Sequence, residues 1–346
     1  MTANANHSTT SDGSLPMPKD LSHHLSRSTR NRQASNIKQF YKYFSIPGIG
    51  QLAGGLPNDH YFPYDTLEAQ VALPDRWTPT PNKPVDPPSE QLAEINLSKS
   101  KPPPDTHLVV PKSSSATDPL RKIDLKSALQ YGTAQGYPPL YAFLRQFTTE
   151  HLHANVPYAG GPEIILTCGN TDGFAKSIQA LNNEWIEGRD PIEDREGLLV
   201  EEYCYMNAVQ AAKPRGMNIA PVKVDDEGMT TSGPGGLEDV LENWDFSKGA
   251  LPHLLYTVTI GQNPTGGTLS VQRRKEIYAL CSKYDIIIIE DDPYWYLQFP
   301  SSAPSATKAR STPSKTPYKG PALPQKSSGF PFLDSLIPSY LSVDYE

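Results

Sequence analysis

The chain has 346 residues, enough for one large domain or two ordinary ones with a sizeable core, and carries a net charge of −7 with a pI near 5.7. That acidic balance excludes the basic footprint expected of a partner for nucleic acid or an anionic membrane, and no apolar run approaches the roughly 20 residues that span a bilayer. Three widely spaced cysteines, Cys168, Cys204 and Cys281, exclude a disulfide framework or zinc cluster, and the polar first 14 residues have no apolar signal core, so the expected compartment is the cytoplasm.

Residues 1–36 are rich in Ser, Thr, Asn and His without periodicity and read as a mobile N-terminal arm. Arg27, Arg30 and Arg32 would suit a transit peptide, whereas Asp12 and Asp20 argue against one. Residues 37–71 form a first ordered segment containing LAGGLPNDHYFPY, in which Gly54 and Gly55 either bring backbone close to a ligand or simply make a tight turn. Residues 72–122 are a proline-rich insertion, too poor in backbone donors for a regular helix or a central strand. Order resumes at residue 123. Asp124 is a candidate cap for a short helix over 125–130, and Pro138 and Pro139 suit the first turn of a second. In that second helix Leu140, Phe143, Leu144 and Phe147 follow the spacing of one buried face.

Alternating strands and helices follow up to residue 300. Strands are expected at 163–167, 198–200, 218–224, 254–258 and 286–289. Helices are expected at 174–185, to about 213, around 237–244, and after a cap at Ser270, where Ile277, Leu280, Cys281 and Tyr284 share a face. In the first of these helices Phe174, Ile178, Leu181 and Trp185 are expected to point inward. The four isoleucines 286–289 read as a central strand covered on both sides. Repeated βα units imply an α/β fold, three-layered α/β/α around a mostly parallel sheet. Residues 301–330 form a second proline-rich insertion, and 331–346 end in a short strand at 340–344.

Three turns then fall at the carboxyl ends of expected strands, where open α/β sheets bind ligands: 169–173, 263–266 and 291–294. The first opens into a helix whose free N–H groups would hold a phosphate, or else it is a plain turn. An acid, an amide and an aromatic hydroxyl at successive strand ends suit a heteroaromatic cofactor with a ring nitrogen, a phenolic oxygen and a phosphate.

In the stretches LAGGLPNDHYFPY, LQYGTAQGYPPLYAFLR, ILTCGNTDGF, EEYCYMNAVQ, GQNPTGGTLS and IIIIEDDPYWYLQF the chain resembles the class I/II, fold type I pyridoxal-phosphate aminotransferases. Within them it is similar to the fungal aromatic and the kynurenine/2-aminoadipate aminotransferases. The resemblance covers most of residues 37–70 and 123–300, the latter as the large domain that binds pyridoxal 5′-phosphate. It implies that Asp291 holds the pyridine nitrogen protonated, that Asn263 and Tyr294 bond O3′, and that Tyr205 stacks on the ring, for which core packing is the alternative. Asn170 and Thr171 would give backbone amides to the phosphate, with Asp172 adding a negative charge nearby. Tyr131 would reach the phosphate of a neighbouring subunit, implying a homodimer, and Gly54 and Gly55 would lie against the substrate.

The family's Schiff-base lysine and its C-terminal small domain would follow a strand like 340–344 and so fall beyond Glu346, which makes the chain read as a truncated member with no catalytic residue of its own and no expected turnover. Ser314-Lys315-Thr316 is no substitute, since no strand precedes it and Pro317 follows. The implied activity is transfer of an amino group from an aromatic or 2-aminoadipate-like amino acid to a 2-oxo acid. Two alternatives fit the same motifs: a non-catalytic protein that keeps the crevice for cofactor binding or dimerisation, and a pyridoxal-phosphate-dependent lyase of the same fold.

Overall fold

The computed structural model describes residues 15–33, 40, 43, 46–50, 55–71, 107–154, 156, 158–297 and 327–343. Two compact units make up the chain, one of residues 1–34 and 144–346, the other of residues 35–143. In the first unit the N-terminal stretch is docked where it is described, contrary to the expectation of a mobile arm. A 3₁₀ turn at Ser22–His24 leads into α1 (Arg27–Arg30), capped by Ser26, whose Oγ accepts from the Thr29 N–H. Ser26 is only 1% exposed, because its N–H donates to the Ala180 carbonyl at 2.8 Å and its hydroxyl to that of Gln179 at 3.0 Å. Those bonds satisfy donors that a free arm would leave to water.

The second unit contains an antiparallel pair, β1 (Thr66–Gln70) and β2 (His107–Pro111). The latter lies inside the expected proline-rich insertion, in a two-stranded, solvent-facing sheet rather than a central one. Helix α2 (Leu125–Ala128) starts at the expected cap: Asp124 accepts from the Ser127 N–H at 2.8 Å and, with its other oxygen, from that of Ser114. Helix α3 (Pro138–Phe147) begins on its two prolines as expected, but Leu140 and Phe143 are 44% and 62% exposed, so the apolar face is not wholly buried.

The core of the first unit is a parallel sheet. In chain order come α4 (Asn170–Leu181), β3 (Gly197–Glu201), α5 (Met206–Ala212) and β4 (Asn218–Val222). The small antiparallel pair β5 (Val224–Asp225) and β6 (Gly228–Met229) precedes α6 (Leu237–Glu242). Then follow β7 (Leu254–Thr257), α7 (Val271–Tyr284), β8 (Ile287–Glu290), α8 (Pro331–Asp334) and α9 (Tyr340–Val343). The strand order is β4-β3-β7-β8, all parallel.

Strand alternation sends side chains to two separate cores. Leu198, Val200, Leu254, Tyr256, Ile287 and Ile289 pack with Phe174, Ile178 and Leu181 of α4 and Ala208 and Ala212 of α5. Leu199, Ala220, Val222, Leu255, Ile286 and Ile288 face the other way, onto α6, α7 and Tyr340. The result is the three-layer α/β/α architecture, with β3 fully buried between two neighbours.

Four expectations are corrected. The isoleucine strand is the last of the four described strands and is half-buried, not central; β3 takes that place because it is paired on both sides. Residues 163–167 form no strand, and Ile165 is 60% exposed. Helix α4 begins at Asn170 because Gly169, at φ +91°, turns the chain straight into it, and ends before Trp185, whose indole N–H instead bonds the Pro191 carbonyl. Residues 340–343 are helical, not a strand. Tyr340 and Val343, three apart, are both buried, a spacing that suits a helix laid on α7 rather than a two-faced strand.

Candidate cofactor site

The site is built at the carboxyl ends of β3, β7 and β8, on the face covered by α4 and α5. Asp291 extends the β8 ladder by one residue, its N–H donating to the Thr257 carbonyl at 2.9 Å. Period-two alternation therefore puts its side chain on the face of Ile287 and Ile289. Both carboxylate oxygens are held. Asn170 Nδ2 donates to Oδ1 at 2.6 Å, and the Tyr256 hydroxyl to Oδ2 at 2.7 Å. Burial, followed by the bond to Asp291, raises the Tyr256 phenol far above its ordinary range, so it stays a donor.

Around this carboxylate lies a small open cleft, lined by Asn170, Thr171 and Phe174 of α4, by Tyr205, Asn207 and Ala208, and by Tyr256 and Asp291. The Phe174 ring meets Tyr256 edge-on, 5.0 Å between centroids. Tyr205 is the N-cap residue of α5, and Asn207 Nδ2 donates to its hydroxyl at 2.6 Å, which fixes the ring at the cleft wall. The N-terminus of α4 opens here without a side-chain cap, leaving first-turn N–H groups for an anion. Asp172 does not oppose such an anion as the sequence suggests. Its carboxylate is turned back onto Lys176 and the Cys168 N–H, and these hold it below the usual carboxylate range.

Two buried carboxylates support the frame. Glu201, 1% exposed at the end of β3, accepts from the Thr257 hydroxyl at 2.6 Å and from Gln262 Nε2 at 3.2 Å. Burial pushes its pKa up to about 7 despite those two donors. Gln262 also donates to the Tyr203 carbonyl, and its Oε1 accepts from the N–H and hydroxyl of Thr265 at 2.9 and 2.7 Å, so this side chain shapes the 263–266 turn. On the same face of the sheet, away from the cleft, Glu290 binds Arg274 at 3.0 Å, the Thr259 hydroxyl at 2.8 Å and the Tyr340 N–H at 2.8 Å. Burial, with Asp292 beside it, raises Glu290.

Of the residues singled out in the sequence, Asn170, Thr171, Tyr205 and Asp291 line one cleft. Asn263 is exposed on its turn, while Tyr294 is half-buried with its ring against Gly261; neither lines that cleft. Tyr131 and Gly55 belong to the second unit, where Tyr131 is 63% exposed and Gly55 has φ +57°. Gly54 lies outside the described residues, as does Ser314-Lys315-Thr316. Sequence reasoning missed Tyr256 and Glu201, the donor to Asp291 and the anchor of the turn. The available signals were a tyrosine one residue before the end of β7, after two leucines, and an acid closing the run Leu198-Leu-Val.

A parallel α/β/α sheet with an acid at one strand end, beside an uncapped helix N-terminus, defines the class: a three-layer α/β/α protein with a crevice at the carboxyl ends of its strands. No protein-family model matches the chain. It is 36% identical over 337 residues to an aromatic amino acid aminotransferase of Schizosaccharomyces pombe, covering 95% of this chain and 60% of that protein. It is 39% identical over 184 residues to the mouse mitochondrial kynurenine/alpha-aminoadipate aminotransferase, covering 51% of this chain and 40% of the other. The crystal structure of aminotransferase Aro8 from Candida albicans superposes with a TM-score of 0.68 at 32% identity, over 95% of this chain and 59% of that one. The chain is therefore similar over nearly its whole length to aminotransferases, and it spans about 60% of the length of the first of these relatives.

Proposed function

We propose that the chain forms the cofactor-binding part of a pyridoxal-phosphate-dependent transaminase, moving an amino group from an aromatic or 2-aminoadipate-like amino acid to a 2-oxo acid. The observation that carries this reading is the Asp291 carboxylate, fixed by Asn170 and Tyr256 across a small cleft from the uncapped start of α4. The donor set fits the cofactor: a carboxylate for a pyridinium nitrogen, helix N–H groups for a phosphate, and an aromatic wall for a ring.

When bound, pyridoxal 5′-phosphate supplies an electron-accepting ring that stabilises the charge left at the amino acid's Cα. Asp291 keeps the proton on the ring nitrogen, and its two donors keep that carboxylate oriented. Asn170 and Thr171 hold the phosphate through their backbone N–H groups, and Tyr205 stacks on the ring. Asn263 and Tyr294, on the two adjoining turns, are assigned the O3′ oxygen. Tyr131 is assigned the phosphate of a neighbouring subunit in a homodimer, Gly54 and Gly55 are assigned the substrate, and the compartment assigned is the cytoplasm. Among the described residues no helix is long and apolar enough to cross a membrane, which is compatible with that location.

The test is titration of the purified chain with pyridoxal phosphate, followed by quenching of tyrosine and tryptophan fluorescence, alongside Asp291→Ala. Saturable binding lost in the variant supports the cofactor site. Equal binding by both chains overturns it. The activity is tested on the product of the complete reading frame, with an aromatic amino acid or 2-aminoadipate as donor and a 2-oxo acid as acceptor; absence of the new 2-oxo acid product refutes the transaminase.

A further inference from the structure

At the C-terminal end of α7, two adjacent histidines from the N-terminal stretch and one aspartate converge. His23 Nε2 lies 2.7 Å from Asp285 Oδ2, and His24 Nε2 lies 3.3 Å from Asp285 Oδ1. The three ligand atoms are all within 4.8 Å of one another, and 262 residues separate His23 from Asp285. His23 and Asp285 are half-exposed, while the His24 side chain is 4% exposed. The buried His24 Nε2, though 3.3 Å from Asp285 Oδ1, makes no hydrogen bond among the described residues.

The geometry is imposed by the backbone on both sides. Asp285 is the C-cap of α7 and the one non-glycine with positive φ among the described residues, at φ 57° and ψ 52°, a conformation that aims its side chain back over the helix end. On the other side, the turn carrying both histidines is pinned by the Ser26 bonds to Gln179 and Ala180 and by the Arg27 N–H on Asn183. The His24 ring is sandwiched, 4.1 Å from His23 and 5.6 Å from His253, and the latter is itself turned to the Leu181 carbonyl. An ion-pair reading accounts for His23, which has a well-formed bond to Asp285, but leaves the buried His24 nitrogen facing the same carboxylate without one.

We propose that His23 Nε2, His24 Nε2 and Asp285 bind one divalent transition-metal ion of the zinc class, with solvent in the fourth position. Zinc bonds of about 2.0–2.1 Å put tetrahedral ligand atoms about 3.3 Å apart, so these three need only small side-chain rotations. Two imidazoles and one carboxylate suit zinc, copper or nickel and not the all-oxygen preference of calcium or magnesium. The ion ties the N-terminal turn to the end of α7, closing a loop over most of the chain. It is a structural clasp, independent of the cofactor reading.

The test uses the whole 346-residue chain, stripped with a chelator, and zinc ion alone as the probe, with titration calorimetry and thermal melting as readouts. His23→Gln and Asp285→Asn are the variants, both at exposed positions, and asparagine tolerates the left-handed backbone. The expected result is one zinc per chain and a raised melting temperature, with affinity at least tenfold weaker in each variant, and cobalt(II) giving the visible absorption of a four-coordinate site. Binding of equal affinity in the parent and both variants, or no zinc-dependent shift in melting, overturns the proposal and leaves a hydrogen-bonded His–Asp cluster. His60, His107, His151 and His153 lie elsewhere in the chain and stay in place as controls for adventitious binding.

Discussion

Asp291 and its neighbours Glu290 and Asp292 are consecutive carboxylates with opposite surroundings. Glu290 and Asp292 point to the α7 side, where they share the Thr259 hydroxyl and Glu290 meets the buried guanidinium of Arg274. Asp291 points to the α4 side, meets only neutral donors, and borders a cleft. A strand's period of two is enough to send one acid of the run to a ligand and two to the frame. The lesson is that an acidic triplet at a strand end is two functions, and that the partner's charge tells them apart: a cation beside the framing pair, neutral donors on the group left to bind a cation.

The contrast is broken most severely from the framing side. Arg274→Ala strips Glu290 of its buried counter-charge, and removing one member of such a pair costs about 3–5 kcal/mol. Urea denaturation should show that loss. On the cleft side, Asp291→Asn is expected to leave the fold nearly intact while weakening pyridoxal phosphate binding by about 10- to 100-fold, the worth of a charge-assisted bond. Fluorescence titration of folded variant protein checks it.

Glu201 offers a pH-resolved test. Its pKa rises from 4.5 to about 7 on folding, so the native state holds the proton more tightly than the unfolded one. Its contribution to stability is therefore full below about 4.5 and is lost as pH rises toward 7, with a slope of at most about 1.4 kcal/mol per pH unit. Glu201→Gln should flatten that slope in denaturation midpoints measured from pH 4.5 to 7.5. The smallest effect expected is for Ser270→Ala, which removes the α7 cap bond to the Arg273 N–H and costs about 1 kcal/mol. Since this cap serves the framing side, pyridoxal phosphate affinity should stay unchanged, and a change would show that the two faces are coupled.

Much of this was legible residue by residue. The caps at Asp124 and Ser270 and the βα alternation from β3 onward are local choices of backbone and side-chain chemistry, and the structure has them where the sequence places them. The face of Asp291 was also implicit, because alternation from Ile287 carries through to it. What misled the reading was apolar content without partners. Four isoleucines look alike whether a strand has neighbours on one side or two, and Tyr340-Leu-Ser-Val is apolar enough for a strand until its one-sided burial on α7 makes it a helix.

By itself, then, the sequence determined the class of fold, the capped helix starts after Asp124 and Ser270 and which residue types stand at strand ends, since each depends on neighbours a few positions away. Only the tertiary structure decided that Tyr256 and Asn170 hold Asp291, that Gln262 and Glu201 hold the 263–266 turn, and that His23 and His24 meet Asp285. Those pairs lie 35, 121, 61 and 262 residues apart. Contacts at that range follow from strand register and from how the helices pack on the sheet, which no short window of sequence contains.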